Sequence, residues 1–292
     1  ARAENWFFDQ PLYDLETKGG RMTFTRRFGQ SGPLSRGREV TTVSAGYLLE
    51  YEDYTVAREA LDDPDFRPTL IALGINPETG RGEGWLAALT FDVNRNTTEN
   101  LLDARRGYVL SGHLEKAGVG GDFNYLESSA EARHYLNLAD RAVIATRVRA
   151  ASLGGTDGPD SDIPFFKRYF LGGAQSLRGW GRFEVSPLTE SGLPIGGYTS
   201  FEGTIEARIP VTTNIGAVTF LDAGNVWPGT YDFDLGDMRY AVGGGLRYRT
   251  PVGPIRVDVG YQLTPIEALV IEGRPFADQR RWRIHFSVGQ AF

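Results

Sequence analysis

The 292-residue chain contains no cysteine and only three histidines, and each scarcity removes a class of protein. Without cysteine there is no disulfide framework and no thiolate metal site. His113, His134 and His285 each stand alone in a strand-like pattern, so we predict neither a metal nor a cofactor. The sequence also lacks a Gly-x-Ser-x-Gly elbow and a phosphate-binding loop, and we therefore do not expect an enzyme.

Long hydrophobic runs are missing as well. No stretch approaches the roughly twenty apolar residues that a membrane-spanning helix needs. A membrane protein built from strands remains open, because barrel strands are short and only half apolar. The formal net charge of -6 counts against nucleic acid as a partner.

What the chain does have is an alternation of apolar and polar residues with a period of two, which is typical of β-strands. In residues 255–263 the odd-numbered positions are apolar, and the even-numbered positions are polar or glycine. The closing stretch repeats the pattern, with Trp282, Phe286 and Phe292 in one apolar row. Such alternation requires one apolar environment and one polar environment.

Twelve stretches of this kind predict an all-β fold, with residues 1–292 forming one antiparallel transmembrane β-barrel. Most are near the length of about nine to eleven residues that a tilted strand needs to cross a bilayer. Short and long connections alternate, as they do between the periplasmic turns and external loops of outer-membrane barrels. A soluble β-sandwich would alternate equally well, but glycines in the polar rows and aromatics near strand ends favour the membrane barrel. The predicted strands are 5–14, 21–29, 39–54, 85–96, 107–117, 123–137, 141–153, 199–211, 214–227, 238–250, 253–264 and 281–292.

The longest connection, residues 154–198, is predicted to fold back into the lumen of the barrel. Connections of this length are usually functional or disordered, and the many aromatic residues argue against disorder. Gly172, Gly173 and Gly179 supply the backbone conformations that a tightly folded loop needs. Arg178 lies in this glycine-rich part, and we expect it to bond a buried carboxylate.

Two acidic residues downstream are candidate partners for Arg178. Asp222 lies in an otherwise apolar strand pattern, so its charge needs a partner. Glu206 lies in the polar row of the preceding strand, and a tight turn would pair the two strands antiparallel and bring the acids together. One guanidinium can bond both carboxylates. The alternative is that Asp222 pairs with a strand arginine such as Arg208 or Arg247.

Several segments resemble the signature motifs of the BamA/TamA superfamily of outer-membrane assembly barrels. Leu177, Arg178, Gly179 and Trp180 are similar to its arginine-glycine-aromatic loop motif. A second signature, an aspartate and a glycine followed by an aromatic residue, resembles segment 220–227, which includes Phe220, Gly224 and Trp227. The last residues, 288–292, resemble TamA-type ends. The specific motifs cover about residues 163–292, and the earlier part matches only as a run of strands.

The resemblance implies a sixteen-stranded barrel with a lateral seam between its first and last strands, preceded by POTRA domains. It also implies that the loop arginine, Arg178, bonds Asp222 and Glu206 and so holds the loop in the lumen. Twelve strands are readable here, so the chain either begins at what would be the fifth strand or is a smaller variant.

Members of this superfamily insert or export outer-membrane proteins without ATP, by β-augmentation at the seam and by thinning the bilayer locally. The resemblance therefore implies a bacterial outer-membrane location, with the lipid bilayer, client outer-membrane proteins and periplasmic accessory subunits as partners. Two other functions stay open. One is a secretion pore or anchor for a fused passenger domain; the other is a passive channel, whose lumen the long loop would not plug.

Overall fold

The described residues form a single sheet of twelve antiparallel strands, each paired with its neighbours in sequence. The computed structural model describes residues 2–9, 13–29, 39–56, 61–62, 67–100, 103–138, 142–155, 162–250, 253–270, 281–289 and 292, with the backbone alone for 2–9. The strands are β1 (Arg2–Asp9), β2 (Tyr13–Phe28), β3 (Val40–Val56), β4 (Arg81–Asn96), β5 (Gly107–Ala117), β6 (Tyr125–Leu138), β7 (Ala142–Gly155), β8 (Thr199–Pro210), β9 (Ile215–Trp227), β10 (Arg239–Tyr248), β11 (Ile255–Gln262) and β12 (Trp282–Val288).

A short helix, α1 (Arg67–Ala72), lies in the connection between β3 and β4. Within the described ranges, no helix has the length and apolar character needed to span a membrane.

Side-chain exposure follows the predicted alternation. In β11, Ile255, Val259 and Tyr261 are 46%, 43% and 42% exposed, whereas Arg256 and Asp258 between them are fully buried. Apolar side chains therefore face outwards and charged side chains face inwards, the reverse of a soluble protein. A polar interior and an apolar exterior are what a strand in a membrane barrel requires.

The predicted N-terminal strands 5–14 and 21–29 differ from those observed. β1 ends at Asp9 and β2 begins at Tyr13, so the first predicted strand covers the end of β1, the connection and the start of β2. The reason is a change in neighbours along β2. Near Tyr13 its apolar row faces inwards, where it meets aromatic side chains, but further on the outward row becomes apolar, with Phe24 exposed.

The sheet curls around the connection between β7 and β8, whose described residues 162–198 we call the central segment. Phe183 of this segment stacks on Tyr13 of β2, with ring centroids 6.4 Å apart. The next residue, Glu184, pairs with Arg283 of β12 at 2.7 Å. Phe183 and Glu184 are consecutive, yet they contact β2 and β12, which are near the two ends of the strand order. The sheet must therefore curl around them. Among the strands described, no pairing joins β12 to β1, so the sheet shows the curl of the predicted barrel and not its closure.

The terminal strand is shorter than the predicted 281–292. β12 ends at Val288, and Gly289 leaves it with a φ of +96°, a conformation that favours glycine. Phe292 lies inside the curled sheet and does not continue the outward row: its ring stacks on Tyr135 of β6 at 6.4 Å. The hydroxyl of Tyr135 donates to the carbonyl oxygen of Phe292 at 3.2 Å. Residues 290 and 291 of the predicted strand lie outside the described residues.

Candidate functional site

A tightly turned part of the central segment carries Arg178 into the interior. Gly172 and Gly173 have φ values of +111° and +96°, which favour glycine. A Cβ on Gly172 would lie 2.2 Å from the carbonyl oxygen of Gly181, so only glycine fits there. The amide of Gly173 donates to the carbonyl oxygen of Trp180 at 3.0 Å, which closes the turn around Arg178.

Arg178 makes a forked contact with two carboxylates on neighbouring strands. Its Nε and Nη2 atoms donate to the two carboxylate oxygens of Asp222 at 2.7 Å each, and its Nη1 donates to Oε1 of Glu206. The guanidinium also stacks on Phe220, with Cζ 3.4 Å from the ring centroid. Bidentate, charge-assisted bonds of this kind are among the strongest polar contacts in proteins. We call Arg178, Asp222 and Glu206 the arginine lock.

Strand register explains why the two acids meet. Thr204 of β8 pairs with Asp222 of β9, and Glu206 pairs with Phe220, so the acids lie on the same inner face two positions apart. Diagonal neighbours across an antiparallel pair are within reach of long side chains. A single guanidinium entering from the interior can therefore bond both.

The arginine lock is almost completely withdrawn from solvent. Arg178 is 1% exposed, and Asp222 and Glu206 are 0% exposed. Burial opposes the charged form of Arg178, but hydrogen bonds and charges from Asp222 and Glu206 outweigh it and raise the pKa of the guanidinium above its ordinary value. The arginine therefore stays charged and its carboxylate bonds persist.

The strand arginines proposed as alternative partners of Asp222 bond other acids. Arg208 donates from Nε to Oε2 of Glu206 at 2.9 Å. Arg247 donates from Nη1 to Oδ1 of Asp258 at 2.5 Å. Asp222 is thus left to Arg178 alone among the arginine contacts described, while Glu206 is shared.

Side chains of β11 and β12 hold the backbone around Arg178. Gln262 donates from Nε2 to the carbonyl oxygen of Gly179 at 2.9 Å, and His285 donates from Nε2 to that of Arg178 at 2.7 Å. Sequence reasoning did not single out Gln262 for this role. Its only signal was its place in the polar row of β11. Every residue has a backbone carbonyl, so a hydrogen bond to one requires no particular residue type in the partner.

Close packing accounts for two motif glycines. A Cβ on Gly224 would lie 2.7 Å from Cδ1 of Leu177, and a Cβ on Gly179 would lie 3.0 Å from Cβ of Ala241. Leu177 and Trp180 are themselves buried to 1% and 0% exposure. The loop motif and the inner face of the strand motif therefore pack against each other.

Three of the predicted site residues lie on the outward face, apart from the arginine lock. Trp227 is 5% exposed because Phe233 covers it, with ring centroids 6.1 Å apart. Trp282 and Phe286 of β12 are 40% and 75% exposed.

The other part of the central segment carries aromatic residues, which we call the aromatic side: Phe165, Phe166, Phe170 and Phe183. Phe165 meets Tyr13 of β2 edge to face at 5.7 Å. Phe166 meets Tyr54 of β3 at 5.4 Å and Phe123 at 6.4 Å. Rings in this arrangement stabilise each other beyond the area they bury.

Beside the aromatic side, Lys167 lies between two acids that face each other across β5 and β6. Its Nζ is 2.6 Å from Oε1 of Glu115 and 3.4 Å from Oε2 of Glu127. The ligand atoms of these acids and of His113 lie within 4.8 Å of one another, a spacing that sequence reasoning missed because Glu127 is on the neighbouring strand. The lysine ammonium already supplies a cation to both carboxylates.

Comparison with known proteins finds relatives whose names refer to assembly. The outer membrane protein assembly factor BamA of Nitratidesulfovibrio vulgaris is 29% identical over 261 residues, covering 87% of this chain and 30% of that protein. The sorting and assembly machinery component 50 homolog of Bos taurus is 31% identical over 157 residues, covering 50% of this chain and 32% of that protein. The chain thus spans less than a third of the length of either relative.

The fold is also shared with a solved structure. The crystal structure of BamA from Haemophilus ducreyi lacking POTRA domains 1-3 superposes with a TM-score of 0.68 at 19% identity, covering 98% of this chain and 56% of that chain. The family model described as the Omp85 superfamily domain matches residues 5–292. The chain therefore belongs to the Omp85 superfamily and is an integral β-barrel protein of the bacterial outer membrane.

Proposed function

We propose that this chain is the membrane domain of an outer-membrane protein assembly factor, which inserts client proteins at a sheet edge without ATP. The observation that carries the proposal is the forked contact of Arg178 with Asp222 and Glu206, which ties a long loop to the inner wall. The relatives named as an assembly factor and as a component of an assembly machinery support the same activity.

The edge of β12 supports insertion by strand addition. β12 has seven residues and pairs with β11, while its other edge has no partner among the described strands. An unpaired edge is a template for an incoming strand, which gains main-chain hydrogen bonds as it adds. A client strand would add here before its own barrel closes.

The packed interior counts against a passive diffusion channel. Trp180 and Phe165 of the central segment are 0% and 2% exposed, although both come from a loop inside the curled sheet. A channel for small solutes would need that space to hold water. The assembly proposal instead needs a fixed loop and a free edge.

The proposal can be tested with the full-length protein in phospholipid vesicles. An unfolded client barrel is added without nucleotide, and its folding is followed by its resistance to heating in a gel assay. We expect faster folding than in empty vesicles. Folding at the same rate in empty vesicles would contradict assembly activity.

Cysteine crosslinking locates the site of insertion. Ile284 of β12 and Ile205 of β8 both face outwards, with 47% and 53% exposure, and form a matched pair. We expect Ile284→Cys, and not Ile205→Cys, to crosslink to a cysteine in the client's terminal strand. Equal crosslinking at both positions, or crosslinking at external loops alone, would argue against the β12 edge.

A further inference from the structure

The outward face of the sheet carries a shallow depression that the functions above do not use. It spans β4 to β7 near the connection between β9 and β10 and has a volume of about 350 Å³. Known small-molecule sites occupy roughly 300–1,000 Å³, so the space is sufficient for a ligand.

Small residues make the floor of this depression. Gly112 of β5 pairs with Ala130 of β6, which pairs in turn with Ala150 of β7, and Phe91 and Leu114 pair with each other in the next row of the same face. A Cβ added to Gly112 would meet no atom within 4 Å. Since Phe91 and Leu114 are 45% and 47% exposed, the wall on that side projects past a floor that has almost no side chains.

A second wall is formed by the connection between β9 and β10, which is held against the outside of the sheet over β6 and β7. The amide of Tyr231 donates to Oγ of Ser152 at 2.9 Å, and its hydroxyl lies 3.0 Å from Oγ of Ser128. Tyr231 adopts a φ of +53°, which is uncommon for a residue with a side chain. Surrounding contacts must hold such a conformation in place. The wall is therefore a built feature of the fold.

The surroundings identify the occupant. This face belongs to an integral outer-membrane protein, and the depression continues the exposed apolar surface of Phe91, Leu114 and Leu126. In a bilayer that surface meets hydrocarbon. The floor of alanine and glycine offers apolar contact, and the hydroxyls of Ser128 and Tyr231 mark one polar end. A single hydrocarbon chain with a polar group at one end matches this arrangement.

From this geometry we infer that the depression is a binding site for an acyl chain of a membrane lipid. The chain lies over Gly112 and Ala130, beside the wall of Phe91 and Leu114 and the wall of Tyr231. The polar end of the lipid lies beside the hydroxyl of Tyr231.

The test uses the full-length protein in vesicles of phosphatidylethanolamine and phosphatidylglycerol, with a small share of phospholipid carrying a photoreactive diazirine in its acyl chain. After illumination, labelled peptides are mapped by mass spectrometry. We expect labelling to be enriched around Gly112, Ala130 and Tyr231 relative to other outward positions such as Ile205 and Leu246.

Filling the floor should abolish the enrichment. Gly112→Phe places a ring in the open space, so the labelling around Ala130 and Tyr231 should fall to that of other outward positions. The matched control is Gly203→Phe, also outward-facing, whose Cβ would be 3.7 Å from its nearest neighbour and which should leave the labelling unchanged. Ala130→Leu provides a second filling if Gly112→Phe does not give a heat-resistant folded barrel.

Uniform labelling of the outward face would overturn the inference. The same holds if labelling around Tyr231 persists in both filled variants. Unfolded client protein can also be added to the wild-type protein. If it removes the labelling around the depression, the depression binds protein and not lipid, which would also overturn the inference.

Discussion

The central segment meets the curled sheet in two different ways. Around Arg178 it meets β8, β9, β11 and β12 through buried charges and backbone hydrogen bonds. Along the aromatic side it meets β2 and β3 through rings at separations of 5.4–6.4 Å. The charged contacts depend on the position of individual atoms, whereas the ring contacts depend on buried area.

The contrast explains how one loop can be fixed in position at Arg178 and yet tolerate substitution elsewhere. A buried charge that loses its partner is left uncompensated, so a charged contact tolerates almost no change. Apolar contacts tolerate replacement by residues of similar volume. We therefore expect Arg178 to set the position of the segment and the aromatic side to fill the remaining interior.

Arg178→Ala should destabilise the protein most. It leaves Asp222 without an arginine partner at 0% exposure, and removing one partner of a buried pair costs about 3–5 kcal/mol in the free energy of unfolding. The measurement is urea unfolding of the folded protein in vesicles, with heat resistance on a gel as a second readout. Insertion into the membrane should persist.

The matched control is Arg182→Ala, because Arg182 is in the same segment but exposed. Surface substitutions of this kind usually change stability by less than about 0.5 kcal/mol. If Arg182→Ala costs as much as Arg178→Ala, the loss reflects charge in the segment and not the arginine lock.

A smaller loss is expected for Arg178→Lys. The ammonium keeps the charge but cannot donate in a fork to Asp222 and also reach Glu206. Each bond to a charged group contributes about 1.5–3 kcal/mol, so the variant should lose roughly that amount. Unfolding in urea measures it. Full recovery of wild-type stability would mean that charge alone holds the segment.

The smallest effect is expected for Phe166→Leu on the aromatic side. Leucine keeps most of the apolar volume against Tyr54 and Phe123, so the loss should stay below about 1.5 kcal/mol. The same urea measurement applies. A loss larger than that of Arg178→Lys would reverse the proposed division between the two sides.

Sequence patterns anticipated the parts of the fold that face two contrasting environments. Residues 107–117 were predicted as a strand with the same bounds as β5, because apolar side chains there face outwards and polar ones inwards. The pattern failed at the start of β2, where rings of the central segment replace lipid as the apolar neighbour. Alternation shows that two environments exist, but not which environment lies on which side.

The candidate site was partly readable for a similar reason. Asp222 in an apolar strand, joined to the strand of Glu206 by a tight turn, was enough to expect both acids near one cation. The contacts of Gln262 and His285 go to backbone carbonyls, and the pairing of Lys167 with Glu115 depends on how the sheet curls. Neither kind of contact follows a fixed spacing along the chain, so the sequence alone does not predict it.

The most direct test of the central claim is a double-mutant cycle between Arg178 and Asp222 in the full-length protein. The free energy of unfolding is measured for Arg178→Ala, Asp222→Ala and the double variant. Residues in direct contact show interaction energies of about 0.5–3 kcal/mol, so the double variant should lose clearly less than the sum of the two single losses. Strictly additive losses would contradict the claim that Arg178 holds the central segment through Asp222.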